Sequence, residues 1–191
     1  MPNFNEDFEF SKSTHTNNKI REILLDNIPA AIDVKDSTPE DDKNGVDKWV
    51  IRKHNLHPLS VDVKSRRDDP KEKGWGDDLA LETFSNVDNK IIGWTRDERK
   101  KCDYILWFFE PTNRSVLVPF PMLCKVYQEL WEEWKVTYKT SRQDNGSWFS
   151  ESTFVPREII WNAISNRFEG KFVERRYGKN FSLLNFAQVI E

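Results

Sequence analysis

A mixed α/β fold, with a central β-sheet of both strand senses flanked by helices, is the class this sequence predicts. Three observations carry it. Two β-rich segments, VDKWVIRK (46–53) and LSVDVKSR (59–66), stand at hairpin spacing; DYILWFF (103–109) is a continuous apolar run of strand length; and helical apolar spacing recurs near residues 16–28 and 121–138.

In chain order, residues 1–15 are polar and read as an N-terminal arm. From Thr16 the spacing Ile20, Ile23, Leu24, Ile28 predicts a helix closed by Pro29, and KDSTPEDDKNG (35–45) predicts an exposed loop of turn formers and charges. The two β-rich segments, joined by HNLHP, predict antiparallel strands, with His54 and His57 as turn residues. A third strand is expected within DDLALETFS (77–85). After the Gly93-Trp94 turn, Thr95-Arg-Asp-Glu98 has the form of a capping box and predicts a short helix to about Lys101. The apolar run 103–109 suits a central strand covered on both faces, and SVLVPF (115–120) follows a PTNR turn. Pro121 opens a long helix to about Tyr138, on which Tyr127, Trp131, Trp134 and Tyr138 form a core stripe. PREIIWNAI, with Pro156 at its start, predicts a last helix. The expected organisation is therefore an arm (1–15) and one domain (16–191), its core at about 16–120 and a helical C-terminal extension over 121–191.

Of the 191 residues, 32% are charged and 37% hydrophobic, but 8 Trp and 13 Phe supply large rings enough to fill a core. The net charge of -3 is unevenly spread: residues 1–47 hold eleven acids and five bases, a local -6 that leaves +3 for the remainder. Phosphate binding on one face is thus permitted and not demanded. Cys102 and Cys124 sit beside apolar residues with no CxxC and no nearby His, as buried free thiols do. No run approaches a membrane span and the start lacks a signal-like apolar stretch, so a cytoplasmic protein without membrane partners is expected. There is no P-loop, GxGxxG or GxSxG from which nucleotide-driven or serine-hydrolase chemistry could begin.

Asp62 and Lys64, two apart on a strand, leave the same face of the sheet, and the hairpin can bring Asp47 toward Asp62. Two carboxylates can share a cation such as Mg2+, which takes oxygen ligands and retains waters, and an adjacent lysine can orient a water or stabilise developing negative charge. Arg66 and Arg67, followed by Lys71 and Lys73, form one basic cluster; Arg96, Arg99, Lys100 and Lys101 form another. In the tail, Lys171, Arg175, Arg176 and Lys179 interleave with Phe172 and Tyr177. Each cluster could grip a phosphate backbone.

GVDKWV followed by LSVDVK resembles the Asp, then Asp/Glu-x-Lys signature of the PD-(D/E)XK, or restriction-endonuclease-like, superfamily. The helix-strand-strand-strand-helix-strand order over about Thr16 to Phe120 is similar to that family's core. LALETFSN, IIGW and CDYILWFF look like a branch found in phage and bacterial chains. The resemblance implies Asp47 and Asp62 as ligands of Mg2+ or Mn2+ and Lys64 as the catalytic lysine. It also implies Glu82 as an accessory carboxylate, with Glu22 of the first helix as a further one. Arg66, Arg67, Arg99 and Lys100 are expected to line the approach of nucleic acid. DNA is expected ahead of RNA because the family acts mostly on DNA, and homodimers are common where two strands are cut. The rival expectation is a catalytically idle nuclease fold that binds nucleic acid or a host protein.

Overall fold

A computed structural model describes residues 14–54, 56–168 and 189–190. In chain order its elements are α1 (Thr14–Asn27), β1 (Ala31–Asp36), α2 (Pro39–Lys43), β2 (Lys48–Arg52), β3 (Leu59–Arg66), β4 (Asp78–Asn86) and β5 (Ile91–Ile92). There follow β6 (Tyr104–Phe109), β7 (Arg114–Pro119), α3 (Phe120–Thr137), β8 (Thr140–Asp144), β9 (Phe149–Pro156), α4 (Arg157–Phe168) and β10 (Val189–Ile190). The described residues fall into two compact units. Residues 14–54, 56–69, 101–118 and 189–190 make the first, and residues 70–100 and 119–168 the second.

The first unit is built on a six-stranded mixed sheet of order β1-β2-β3-β6-β7-β10. β1, β2 and β3 form an antiparallel meander, and β6 lies parallel to β3, with Asp62 opposite Ile105 and Lys64 opposite Trp107. Helix α1 buries Ile20, Leu24 and Ile28 against Val34, Val50, Val61, Leu106 and Phe108, each such side chain contributing about 1.5–3 kcal/mol. The helix ends at Asn27, and Ala30 then takes a positive φ of 63°, a left-handed conformation that redirects the chain into β1. Ser60 and Asp103 lock the starts of β3 and β6: Asp103 Oδ2 accepts from the Ser60 N–H (2.8 Å) and hydroxyl (2.9 Å). At the opposite end of β6, the buried Asp69 carboxylate pairs with Arg114 at 2.6 Å, while the Arg114 guanidinium stacks on the Phe109 ring.

The second unit carries an antiparallel sheet of order β5-β4-β9-β8. Helix α3 contributes buried Tyr127 and Trp134 to its core, and the Tyr127 hydroxyl meets Thr83 at 2.6 Å, which in turn meets Thr153 at 3.0 Å. Arg96 places its guanidinium 3.9 Å from the centre of the Trp131 ring. Gly93 is required where the chain crosses β4, since a Cβ there would lie 2.2 Å from the Glu82 carbonyl oxygen.

The mixed α/β class with a mixed open sheet flanked by helices is therefore observed. Several sequence expectations change. The loop expected over 35–45 instead contains the end of β1 and, after Thr38, the short helix α2, capped reciprocally by Thr38 and Asp41. The strand expected at 77–85 forms, but in the second sheet; β3's neighbour is β6. The helix expected over 95–101 shrinks to a 3-10 turn, Trp94–Arg96, because the Asp97 carboxylate is taken by the Arg99 backbone and guanidinium. The extension expected to be helical also holds β8 and β9. No helix among the described residues is long and apolar enough to cross a membrane, and Cys102 and Cys124 are buried and not disulfide-bonded. The N-terminal arm up to residue 13 and the basic tail residues Lys171, Arg175, Arg176 and Lys179 lie outside the described residues.

Candidate active site

The meander brings the two aspartates together. β2 and β3 pair with Lys48 opposite Val61 and Trp49 opposite Ser60, and continuing that register by one residue sets Asp47 opposite Asp62. The Asp47 N–H donates to the Val61 carbonyl at 2.9 Å, while the Val63 N–H donates to Asp47 Oδ2 at 2.6 Å. These bonds fix the Asp47 carboxylate over the middle of β3. Asp62 and Lys64 share a face as strand alternation requires, and Lys64 Nζ donates to Asp62 Oδ1 at 2.6 Å. Asp62 is 2% exposed.

Electrostatics follow from that packing. Burial and the neighbouring Asp62 charge push the Asp47 carboxyl up to about 6, against the opposing pull of the Val63 N–H and the Lys64 ammonium; when protonated, Asp47 donates to Asp62. Two acids at close range thus compete for one proton or one cation. Such a pair suits Mg2+, which is commonly held by one or two carboxylates with the remaining positions left to water and substrate oxygens. Among the described residues no group of three or more His, Cys, Asp or Glu side chains converges.

A cleft of about 750 Å³ opens beside Asp47 and Lys64. It is lined from α1 by Asn17 and Ile20, from the β1–α2 connection by Asp36, Ser37, Thr38 and Pro39, and also by Asp42, Lys48, Val63 and Ser65. Lys48 Nζ donates to Asn17 Oδ1 at 2.9 Å and to Asp36. Trp49 is held from the other side of β2 by Asp41, so α2, through its cap, braces the strand that carries Asp47. Sequence reasoning missed this cleft because the turn formers of 35–45 concealed it. The capping signal Thr38-x-x-Asp41 was the available clue.

The remaining expected site residues are divided between the two units. Glu82 belongs to the second unit, where its Oε2 accepts from the Trp94 N–H at 2.9 Å. Glu22 is exposed on α1 and pairs with Lys19 at 2.8 Å. In the first unit, half-buried Arg66 donates to the Ser65 carbonyl at 3.1 Å, and Arg67 is exposed. In the second, Arg99 is chelated by Asp97 and Lys100 lies 5.6 Å from the Trp94 ring centre. Comparison with protein-family models, curated proteins and solved structures finds no match for the chain.

Proposed function

We propose that this chain is a metal-dependent nuclease of the PD-(D/E)XK type that hydrolyses phosphodiester bonds in DNA. On this reading the first unit is a restriction-endonuclease-like core, Asp47 and Asp62 hold Mg2+ or Mn2+, and Lys64 is the catalytic lysine. The observation that carries the reading is the facing carboxylate pair, with Asp47 pushed up to about 6, beside a lysine on the same face and an open cleft. When bound, the metal supplies charge neutralisation and an acidified water. Asp47 and Asp62 supply the oxygen donors, and relief of their mutual repulsion favours a cation between them. The Lys64 Nζ lies 2.6 Å from Asp62 Oδ1, where it can orient a water and stabilise charge developing on a phosphate. Above about pH 6 Asp47 is ionised, so activity rises through that range.

A second reading rests on the same ion pair. Lys64 already neutralises Asp62, the arrangement expected of an idle nuclease fold that binds nucleic acid or a protein without cutting. One experiment separates the two. The purified protein is incubated with linear, circular, single-stranded and branched DNA in Mg2+, Mn2+ or EDTA. The nuclease reading expects metal-dependent cleavage that falls by several orders of magnitude in Asp62→Asn. Lys64→Ala should lose cleavage yet retain Mn2+ binding by calorimetry. Cutting by Asp62→Asn at the parent rate refutes the assignment, and tight binding without turnover in any metal selects the idle fold.

A further inference from the structure

We infer that the cleft beside Asp47 receives an unpaired nucleotide, base first, so that the substrate is single-stranded or frayed nucleic acid and not continuous duplex. This rests on the nuclease reading and adds the substrate class to it. Size is the first argument. About 750 Å³ is the volume of a pocket for a small organic ligand, ample for one or two nucleotides and closed to a double helix.

The lining is the second. Pro39 and Val63 offer apolar surface, with buried Ile20 behind them, whereas Asn17, Ser37 and Thr38 place amide and hydroxyl groups among them. A flat ring with polar edges fits that mixture: its faces bury against carbon while its edge atoms meet hydrogen-bonding groups, as in sites that read an extruded or unpaired base. Charge is the third. Asp36, Asp42 and Asp47 outnumber Lys48 and Lys64, and the Lys48 ammonium is already held by Asp36 and Asn17. A run of phosphates is repelled from such a cleft, so the neutral base enters and its phosphate stays at the Asp47 and Lys64 end.

The cleft is also preformed. Lys48, only 11% exposed at its side chain, ties α1 to the end of β1 through Asn17 and Asp36, so little ordering accompanies binding. Unpairing costs least where the strand is already single, and a preformed base pocket therefore discriminates against intact duplex.

The test is fluorescence anisotropy in EDTA with three probes: a short single strand, the same strand made wholly abasic, and a blunt hairpin duplex. Cleavage of the same probes is followed in Mn2+. The intact single strand should bind about tenfold more tightly than its abasic counterpart, the range of one stacked or pocketed base. Ser37→Phe, which fills the cleft, should remove that difference while Mn2+ binding persists. Asp42→Lys should tighten both strands alike and leave their ratio unchanged. Should Ser37→Phe fail to fold, Asp42→Tyr at an exposed position on the same rim blocks the cleft instead. Equal affinity for intact and abasic strands, binding of the blunt duplex as tight as of the single strand, or no binding of single strands overturns the inference. Cleavage without base dependence would retain the nuclease reading and discard this one. Base-dependent binding without cleavage in any metal would do the reverse.

Discussion

Replacing Asp47 by Asn isolates the electrostatic cost on which the site reading depends. The Asn carbonyl can still accept from the Val63 N–H and its amide can donate to Asp62, so shape and bonding are largely kept while the charge is removed. In the wild type the carboxyl is raised from 3.8 to about 6. The folded state therefore binds more protons than the unfolded one between about pH 4 and pH 6. Stability falls as pH rises through that window, and the penalty is complete above it. A shift of about 2 units at about 1.4 kcal/mol each sets an upper bound of about 3 kcal/mol, and because Asp47 is only half-buried, about 1–3 kcal/mol is expected. For a chain of this length that is about 2–12 °C in Tm. Thermal melts of Asp47→Asn should thus lie above the wild type by that amount at about pH 8 and coincide with it at about pH 4. Saturating Mg2+ or Mn2+ should raise the wild type at about pH 8 and leave the variant unmoved, since ligand binding stabilises only the protein that holds it. An equal Tm difference at both pH values, or a destabilised variant at about pH 8, refutes the account of the pair.

Three further outcomes are expected. Neutralising Arg66 and Arg67 together should flatten the logarithmic salt dependence of DNA binding by about 1–2, near 0.9 for each phosphate that the protein no longer neutralises; an unchanged slope in salt titrations would place them away from DNA. Arg114→Ala leaves the Asp69 carboxylate, 1% exposed, without its guanidinium and should cost about 3–5 kcal/mol in urea denaturation. A loss below about 1 kcal/mol would show that the pair is not what secures the β6–β7 corner. Gly93→Ala forces a methyl against the Glu82 backbone and should destabilise by more than about 2 kcal/mol, measurable as a lowered denaturation midpoint. A neutral effect would mean that this crossing adjusts freely.

The signals legible in the sequence are local ones. Apolar spacing places α1 and α3, β-rich composition at hairpin spacing places β2 and β3, and the two-residue period of a strand is enough to put Asp62 and Lys64 on one face. β9 escapes such reading because its inward positions include Glu151 and Thr153, both buried in the second unit, so the alternation of apolar and polar residues that marks a strand is broken on its buried face. β8 is exposed along its whole length and carries no pattern at all. β1 is hidden because only one of its residues, Val34, is fully buried.

Tertiary structure decided the pairings. Nothing local distinguishes β4 from β6 as the neighbour of β3. The choice depends on β6 being buried from Ile105 to Phe109 while β4 alternates, and on Ser60 and Asp103 meeting across 43 residues of chain. The same holds for the site. Residue order supplied two aspartates and a lysine, but the register of β2 on β3 set the acids opposite one another, and the packing around them raised Asp47. The fold alone set the Asp36 to Pro39 segment beside Asn17 and Lys48 and opened the cleft. Side-chain direction is a property of neighbouring residues and can be read along the chain. Strand partnership, burial and the fields between charges depend on residues far apart in sequence, so they exist only once the chain has closed on itself.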